Sequence, residues 1–179
     1  MPTDLLRALL GSLEDELPRA TALRERLHAS PEPSHEERAT AGLVAEELGT
    51  ESMEPVAGTG LVARVGPSGD AVVVRAELDA LPIQEETGSS FAATNNFMHA
   101  CGHDIHMAAL VALFRAVGWI EGSLPKPLVA LFQPSEEAYP SGADVVVREG
   151  CWQGGRVRSW RCMSTQRFRG ARSASRPVR

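Results

Sequence analysis

Apolar residues recur at helical spacing through the first 48 residues of the chain. Leucines at positions 5, 9, 13, 23 and 27 predict helices over residues 3–13 and 18–28, with Pro18 accepted in a first helical turn. After a proline-containing break at residues 30–34, a further helix is predicted over residues 36–48, and Gly49 is its expected stop. The chain therefore begins with helices.

From Gly60 the pattern changes to short runs of β-branched and apolar residues. Residues 61–65 and 71–76 predict two adjacent strands joined by a turn. Polar residues 84–96 predict a loop, and residues 104–120 predict a helix with Asp104 at its N-cap. The apolar run 128–132 predicts a buried strand, and residues 141–149 predict a short helix that Gly150 ends. This alternation indicates an α/β fold.

The distribution of charge divides the chain in two. The net charge of −5 combines −13 over residues 1–150 with +8 over residues 151–179, where eight arginines stand without an acid. The length suits one domain, and no apolar run approaches the ~18 residues that a membrane span needs. Three cysteines at irregular spacing match no disulfide framework, so we expect a cytoplasmic protein.

Residues 98–106 contain three of the five histidines and one of the three cysteines. Imidazole and thiolate are ligands for borderline-soft ions such as zinc, cobalt or nickel, and Asp104 adds an oxygen. Cys101 and His103 would face one metal only if the backbone bends sharply between them, which Gly102 permits. Any one of these residues alone would be an ordinary buried cysteine or a surface histidine, but their clustering favours a metal site that is completed by distant residues.

Two pairs of acids follow predicted strands. Glu77 and Asp79 lie at the carboxyl end of one strand, where ligands bind in α/β folds, although solvated acids would give the same pattern. Glu136 and Glu137 directly follow the apolar strand, where carboxylates are costly unless solvated, paired or metal-bound. One of the two would suit a cation and the other a proton, although the pair alone is weak evidence.

Four ordered motifs carry a family resemblance. They are Leu27-His-Ala-Ser-Pro-Glu32 with Glu36-Glu37, residues 75–88, Met98-His-Ala-Cys-Gly-His-Asp104 and Leu131-Phe-Gln-Pro-Ser-Glu-Glu137. They resemble amidohydrolases related to hippurate hydrolase, N-acyl-amino-acid deacylase and indoleacetyl-amino-acid hydrolase, among the aminoacylase and carboxypeptidase-type metallohydrolases. The resemblance ends near Gly150. It implies the amino-terminal part of a zinc-peptidase-like α/β catalytic domain, a mixed sheet flanked by helices, with the lid domain absent.

The resemblance also implies site roles. Cys101 corresponds to a thiolate that bridges metals, His103 and Glu137 to metal ligands, Glu136 to the general base and Asp79 to a carboxylate that orders the site. The expected cofactor is one or two divalent ions: zinc, manganese, cobalt or nickel. The implied reaction is hydrolysis of a small N-acyl amino acid, with no nucleic-acid or membrane partner. Dipeptide or carbamoyl-amide hydrolysis is the alternative within the superfamily.

The family pattern is not continued in residues 151–179, which predict a basic, disordered tail after a partial catalytic domain over residues 1–150. A non-catalytic binding protein with a basic arm is the alternative from another functional class, but the −13 charge of residues 1–150 would repel phosphate.

With common codon choices, the segment Trp160-Arg-Cys-Met-Ser164 read one base earlier encodes Ala, then Leu, Val or Met, then His or Tyr, then Val. The next codons are compatible with Asp and Pro, as in the expected family strand. We therefore expect out-of-frame translation from about Cys151 and a truncated enzyme that is inactive or impaired, and sequencing of the coding DNA tests this.

Overall fold

The structure, a computed structural model, describes residues 2–149 and the backbone of residues 157–162. Two helices are followed by three strands, and helices and strands then alternate; the strands form one five-stranded mixed sheet. The helices are α1 (Pro2–Ala29), α2 (Arg38–Leu48), α3 (His103–Trp119) and α4 (Gly142–Arg148), with a 3-10 turn at Glu121–Ser123. The strands are β1 (Met53–Val56), β2 (Gly60–Val65), β3 (Ala71–Glu77), β4 (Leu128–Gln133) and β5 (Val157–Cys162). The predicted α/β class is confirmed.

Helix α1 is continuous where the sequence predicts two helices. Pro18 lies inside it, so the proline removes one backbone hydrogen bond without ending the helix. Leu23 and Leu27 are buried in a core that also contains Leu110 and Phe114 of α3. Burial of this apolar face supplies the stability that local propensity at Pro18 lacks.

The strand order is β1-β2-β4-β3-β5, so the prediction that β2 and β3 are neighbours is wrong. Strand β4 lies between them, antiparallel to β2 and parallel to β3. A parallel partner needs a crossover, and the chain from β3 to β4 contains α3, which packs on the sheet. The crossover therefore sets the strand order, which local turn composition did not reveal.

Strand β4 is buried along its whole length, as its apolar run predicts. Leu128, Ala130 and Phe132 face the core shared with α1, α2 and α3. Val129 and Leu131 face a second cluster that includes Val146 of α4. Because helices cover both faces of the sheet, β4 reads as a continuous apolar run without alternation.

The ends of α2 and α3 differ in how well the sequence predicts them. Gly49 ends α2 in a left-handed conformation, as expected. Asp104 is not the N-cap of α3: Gly102 occupies that position with φ 78°, and Asp104 lies in the first turn. The left-handed Gly102 provides the predicted bend between Cys101 and His103.

Part of the predicted basic tail takes a regular conformation. The backbone of residues 157–162 forms β5, parallel to β3, where the sequence predicts disorder. The rest of the tail, residues 151–156 and 163–179, and with it the predicted boundary at residue 150, lies outside the described residues. Within the described part of the chain, no helix has the length and apolar character needed to cross a bilayer.

Candidate metal centre

The carboxyl ends of two neighbouring parallel strands bring the predicted site residues together. Glu77 at the end of β3 is in register with Gln133 at the end of β4. The next residues of each strand reach the same edge of the sheet: Asp79 after β3, and Glu136 and Glu137 after β4. This is the edge where α/β sheets bind ligands.

His103, Glu136 and Glu137 each offer a ligand atom, and these atoms lie within 4.8 Å of one another. His103 Nε2 lies 3.9 Å from Glu137 Oε1. Cys101 is outside this group of three, but its thiol hydrogen-bonds to Glu137. Its side chain is exposed and forms no disulfide. The structure therefore brings the predicted ligands His103 and Glu137 together with the predicted base Glu136, and the predicted ligand Cys101 lies beside Glu137.

Asp79 connects the strand ends. Its Oδ2 accepts hydrogen bonds from Ser34 Oγ at 2.7 Å and from the backbone N–H of Glu137 at 2.9 Å. Its backbone oxygen lies 2.8 Å from Nδ1 of His103. A carbonyl oxygen only accepts, so Nδ1 carries the proton and the Nε2 lone pair of His103 is available to a metal.

Charge repulsion and burial shape the acid–base character of the cluster. Burial, and then the charge of Glu137, raise the pKa of Glu136. The hydrogen bond to Glu137, with partial desolvation and the negative charges of Glu137 and Glu136, raises the pKa of the Cys101 thiol to about 11. A nearby cation favours both ionised forms and would reverse these shifts.

The cluster fits a divalent ion on two observations. It combines nitrogen, carboxylate and thiol donors, the set that zinc and related ions accept. In addition, Asp79 Oδ1 is buried without a hydrogen-bond partner among the described residues and lies 3.7 Å from His103 Nδ1. Buried carboxylate oxygens without a partner are uncommon, and here one lies directly behind a candidate ligand.

Asp104 is not at this centre, although the sequence suggests it as an oxygen ligand. Its Oδ2 lies 2.9 Å from Nε of Arg24 and 2.9 Å from Nδ1 of His28, and it is buried. Oε1 of Glu85 lies 3.1 Å from Nε2, the other ring nitrogen of His28. Asp104 therefore ties α3 to α1 through a buried charge network.

The remaining motif histidines have distinct surroundings. Nδ1 of His106 lies 2.9 Å from Glu77 Oε2, and Arg75 contacts the other oxygen of Glu77. His99 is buried, and neither ring nitrogen has a hydrogen-bond partner in the described part of the chain. Burial lowers the pKa of His99 to about 4, so it is neutral at physiological pH.

Two contributors to the site were not predicted as such. Ser34 was not singled out by the sequence, although it donates to Asp79. Glu37 was noted only as part of a motif, whereas its buried carboxylate contacts the segment just before Glu136. The motif gave Glu37 no role of its own, and its full burial is seen only in the structure.

Comparison with known proteins assigns the chain to a family. The model of peptidase family M20/M25/M40 matches residues 73–166, more than half of the chain. The chain belongs to this family, as the motif resemblance predicts. The matched residues include the part of the predicted tail that contains β5.

Two curated relatives and one solved structure are similar to the chain. An N-acyl-L-amino acid amidohydrolase of Geobacillus stearothermophilus is 40% identical over 139 residues, 74% of the chain and 38% of that protein. An N-acetyl-L-cysteine deacetylase of Bacillus subtilis is 37% identical over 147 residues, 79% and 34% of the two chains. A B. subtilis structure described as a dinuclear metal binding peptidase from the M20 family has 32% identity and a TM-score of 0.70, covering 80% and 42% of the two chains. The chain thus spans 34% to 38% of the length of these two curated relatives.

Proposed function

We propose that the chain carries part of the catalytic site of a metal-dependent amidohydrolase that hydrolyses the amide bond of N-acyl amino acids. The observation that carries the proposal is the grouping of His103, Glu136 and Glu137 at one sheet edge. The names of the amidohydrolase and deacetylase relatives support the substrate class. Zinc, manganese, cobalt and nickel are the candidate ions.

The proposed chemistry divides the site between metal binding and proton transfer. His103, Glu137 and Cys101 would hold a divalent ion, which supplies Lewis-acid activation of the amide carbonyl and of water. Glu136 takes a proton from the attacking water as the oxygen bonds to the acyl carbon. The same carboxyl group then gives that proton to the amine nitrogen as the carbon–nitrogen bond breaks. A pKa raised by burial and by Glu137 suits a group that must both accept and release a proton.

Asp79 has a positioning role in this proposal. It holds the backbone N–H of Glu137 with its side chain and orients His103 with its carbonyl oxygen. Partners that orient ligands in this way are as much a part of a metal site as the ligands themselves.

The test combines metal binding with hydrolysis by the purified chain. Zn²⁺, Mn²⁺, Co²⁺ and Ni²⁺ are titrated separately, and N-acetyl and N-benzoyl amino acids are assayed beside a dipeptide and an N-carbamoyl amino acid. Faster turnover of the last two would favour the alternative activity within the superfamily.

Three isosteric variants separate the proposed roles. Glu136→Gln is expected to lower kcat by about 100-fold or more while the metal stays bound. Glu137→Gln is expected to weaken metal binding. Glu86→Gln is the matched control, since Glu86 is exposed and outside the cluster, and it should change neither property. Unchanged hydrolysis by Glu136→Gln would rule out the general-base assignment, and a wild-type chain that binds none of the four ions would overturn the proposal.

A further inference from the structure

Glu37 is a fully buried carboxylate whose hydrogen bonds all go to other parts of the fold. It is 0% exposed. Its Oε2 accepts a hydrogen bond from Thr59 Oγ1 at 2.6 Å. Its Oε1 accepts from the backbone N–H of Ser135 at 2.7 Å and from Ser135 Oγ at 3.1 Å. A buried acid with three hydrogen bonds is well compensated, and two of these bonds go to one residue that is 98 positions away.

Ser135 has a conformation that needs such support. Its φ is 51°, in the left-handed region that residues other than glycine rarely adopt. Its backbone oxygen accepts the N–H of Gly142 at 3.0 Å, and its hydroxyl also accepts the N–H of His35 at 2.9 Å. The contacts of Ser135 therefore determine how the chain turns immediately before Glu136 and Glu137.

Capping of helix α2 does not explain Glu37. Although Glu37 precedes the helix, its side chain makes no capping hydrogen bond. Glu32 caps the helix instead: its carboxylate accepts hydrogen bonds from the backbone N–H groups of Ala39 at 3.2 Å and Thr40 at 2.6 Å. The two acids lie in the same segment, yet of their two side chains only that of Glu37 reaches the residues that follow β4.

We propose that Glu37 is a positioning residue for the candidate metal centre. Its carboxylate holds Ser135 in the left-handed turn, and this turn directs Glu136 and Glu137 toward His103. The proposal deepens the proposed function, since it rests on that function for the roles of the two glutamates.

The first readout is hydrogen exchange of single backbone amides, measured by NMR without added metal. In Glu37→Gln the amide of Ser135 loses its charged acceptor, and its exchange is expected to accelerate about tenfold or more. The amide of Ala130, inside β4, is expected to keep its rate. An unchanged Ser135 rate would overturn the proposal, and so would equal acceleration at Ala130, because that pattern marks general destabilisation.

Glu32→Gln is the matched control. It removes the charge of the carboxylate that caps α2, in the same segment, and leaves every contact of Ser135 in place. It should therefore lower the melting temperature and leave the exchange rate of Ser135 unchanged. If Glu37→Gln does not fold, Thr59→Val replaces it. This nearly isosteric change removes one of the three donors to Glu37 and should raise the Ser135 rate severalfold, and no change would again overturn the proposal.

The second readout is affinity for Mn²⁺, measured by calorimetric titration. Loss of a supporting hydrogen bond behind a metal site typically costs 10- to 100-fold in affinity. We expect a loss of about that size in Glu37→Gln and none in Glu32→Gln. A wild-type chain that binds Mn²⁺ measurably, but with the same affinity as Glu37→Gln, would overturn the positioning role. A wild type that binds no ion at all counts against the proposed function, while the exchange rates still decide whether Glu37 fixes the turn.

Discussion

Gly142, the first residue of α4, packs closely against the segment that carries Glu136 and Glu137. A Cβ atom added at Gly142 would lie 1.8 Å from the carbonyl oxygen of Pro134, whereas real Cβ contacts stay above 3.0 Å. The backbone would therefore have to move by about 1.2 Å, the difference between these distances. Overpacking of this kind typically costs about 1–3 kcal/mol, and a backbone oxygen cannot swing aside as a side chain can. We expect Gly142→Ala to lower the free energy of unfolding by about 3 kcal/mol.

The measurement is urea denaturation followed by circular dichroism. The midpoint should fall with little change in slope, which marks a loss of stability without a change of denatured state. Gly42→Ala is the control, because Gly42 lies in α2 and an added Cβ meets nothing within 4 Å. That variant should be more stable than wild type by about 0.5–1 kcal/mol, since alanine favours helix. A Gly142→Ala chain within about 0.5 kcal/mol of wild type would show that the close approach does not constrain this segment.

Two further predictions use the shifted pKa values. Burial alone would lower the pKa of His28, but hydrogen bonds to Glu85 and Asp104 outweigh burial and raise it. The interaction of protonated His28 with Glu85 and Asp104 therefore stabilises the fold below about pH 6.5, and this stabilisation is lost as pH rises through the raised pKa. In urea titrations, His28→Gln should lower the free energy of unfolding more near pH 5.5 than near pH 9. An equal cost at both values would contradict the charge network. The pKa of Cys101 is raised to about 11, so iodoacetamide should alkylate its thiol at pH 8 at least about tenfold more slowly in the metal-free folded chain than in the urea-unfolded chain. Glu137→Gln should accelerate the reaction of the folded chain. The rates are measured by mass spectrometry, and equal rates in folded and unfolded protein would refute the shift.

Features set by neighbouring residues were predictable from the sequence. The run of apolar residues in β4 and the stop at Gly49 depend on local composition, and both are confirmed. Pro18 and Asp104 were misjudged, because packing of α1 on α3 and the contact between Asp104 and His28 depend on residues far apart in the chain. The prediction that β2 and β3 are neighbours failed for the same reason, because a crossover of some 50 residues places β4 between them.

The site was predictable as a set of residue types but not as an arrangement. Histidine, cysteine and paired acids marked His103, Cys101, Glu136 and Glu137, and the fold brings these side chains together. Their roles stay predictions. The support behind them was hidden, because Glu37 carries no signature that distinguishes it from the many acids on helix surfaces.

The insertion of β4 between β2 and β3 has a consequence for synthesis of the protein. Fifty residues separate the end of β3 at Glu77 from the start of β4 at Leu128. At about 5–20 residues per second, the ribosome needs roughly 3–10 s to deliver them. During that interval the facing edges of β2 and β3 lack their native partner, and α3 emerges before the sheet it will cover is complete. The nascent chain therefore passes through a period of seconds in which the unpaired backbone edges of two strands are open to pairing with other chains.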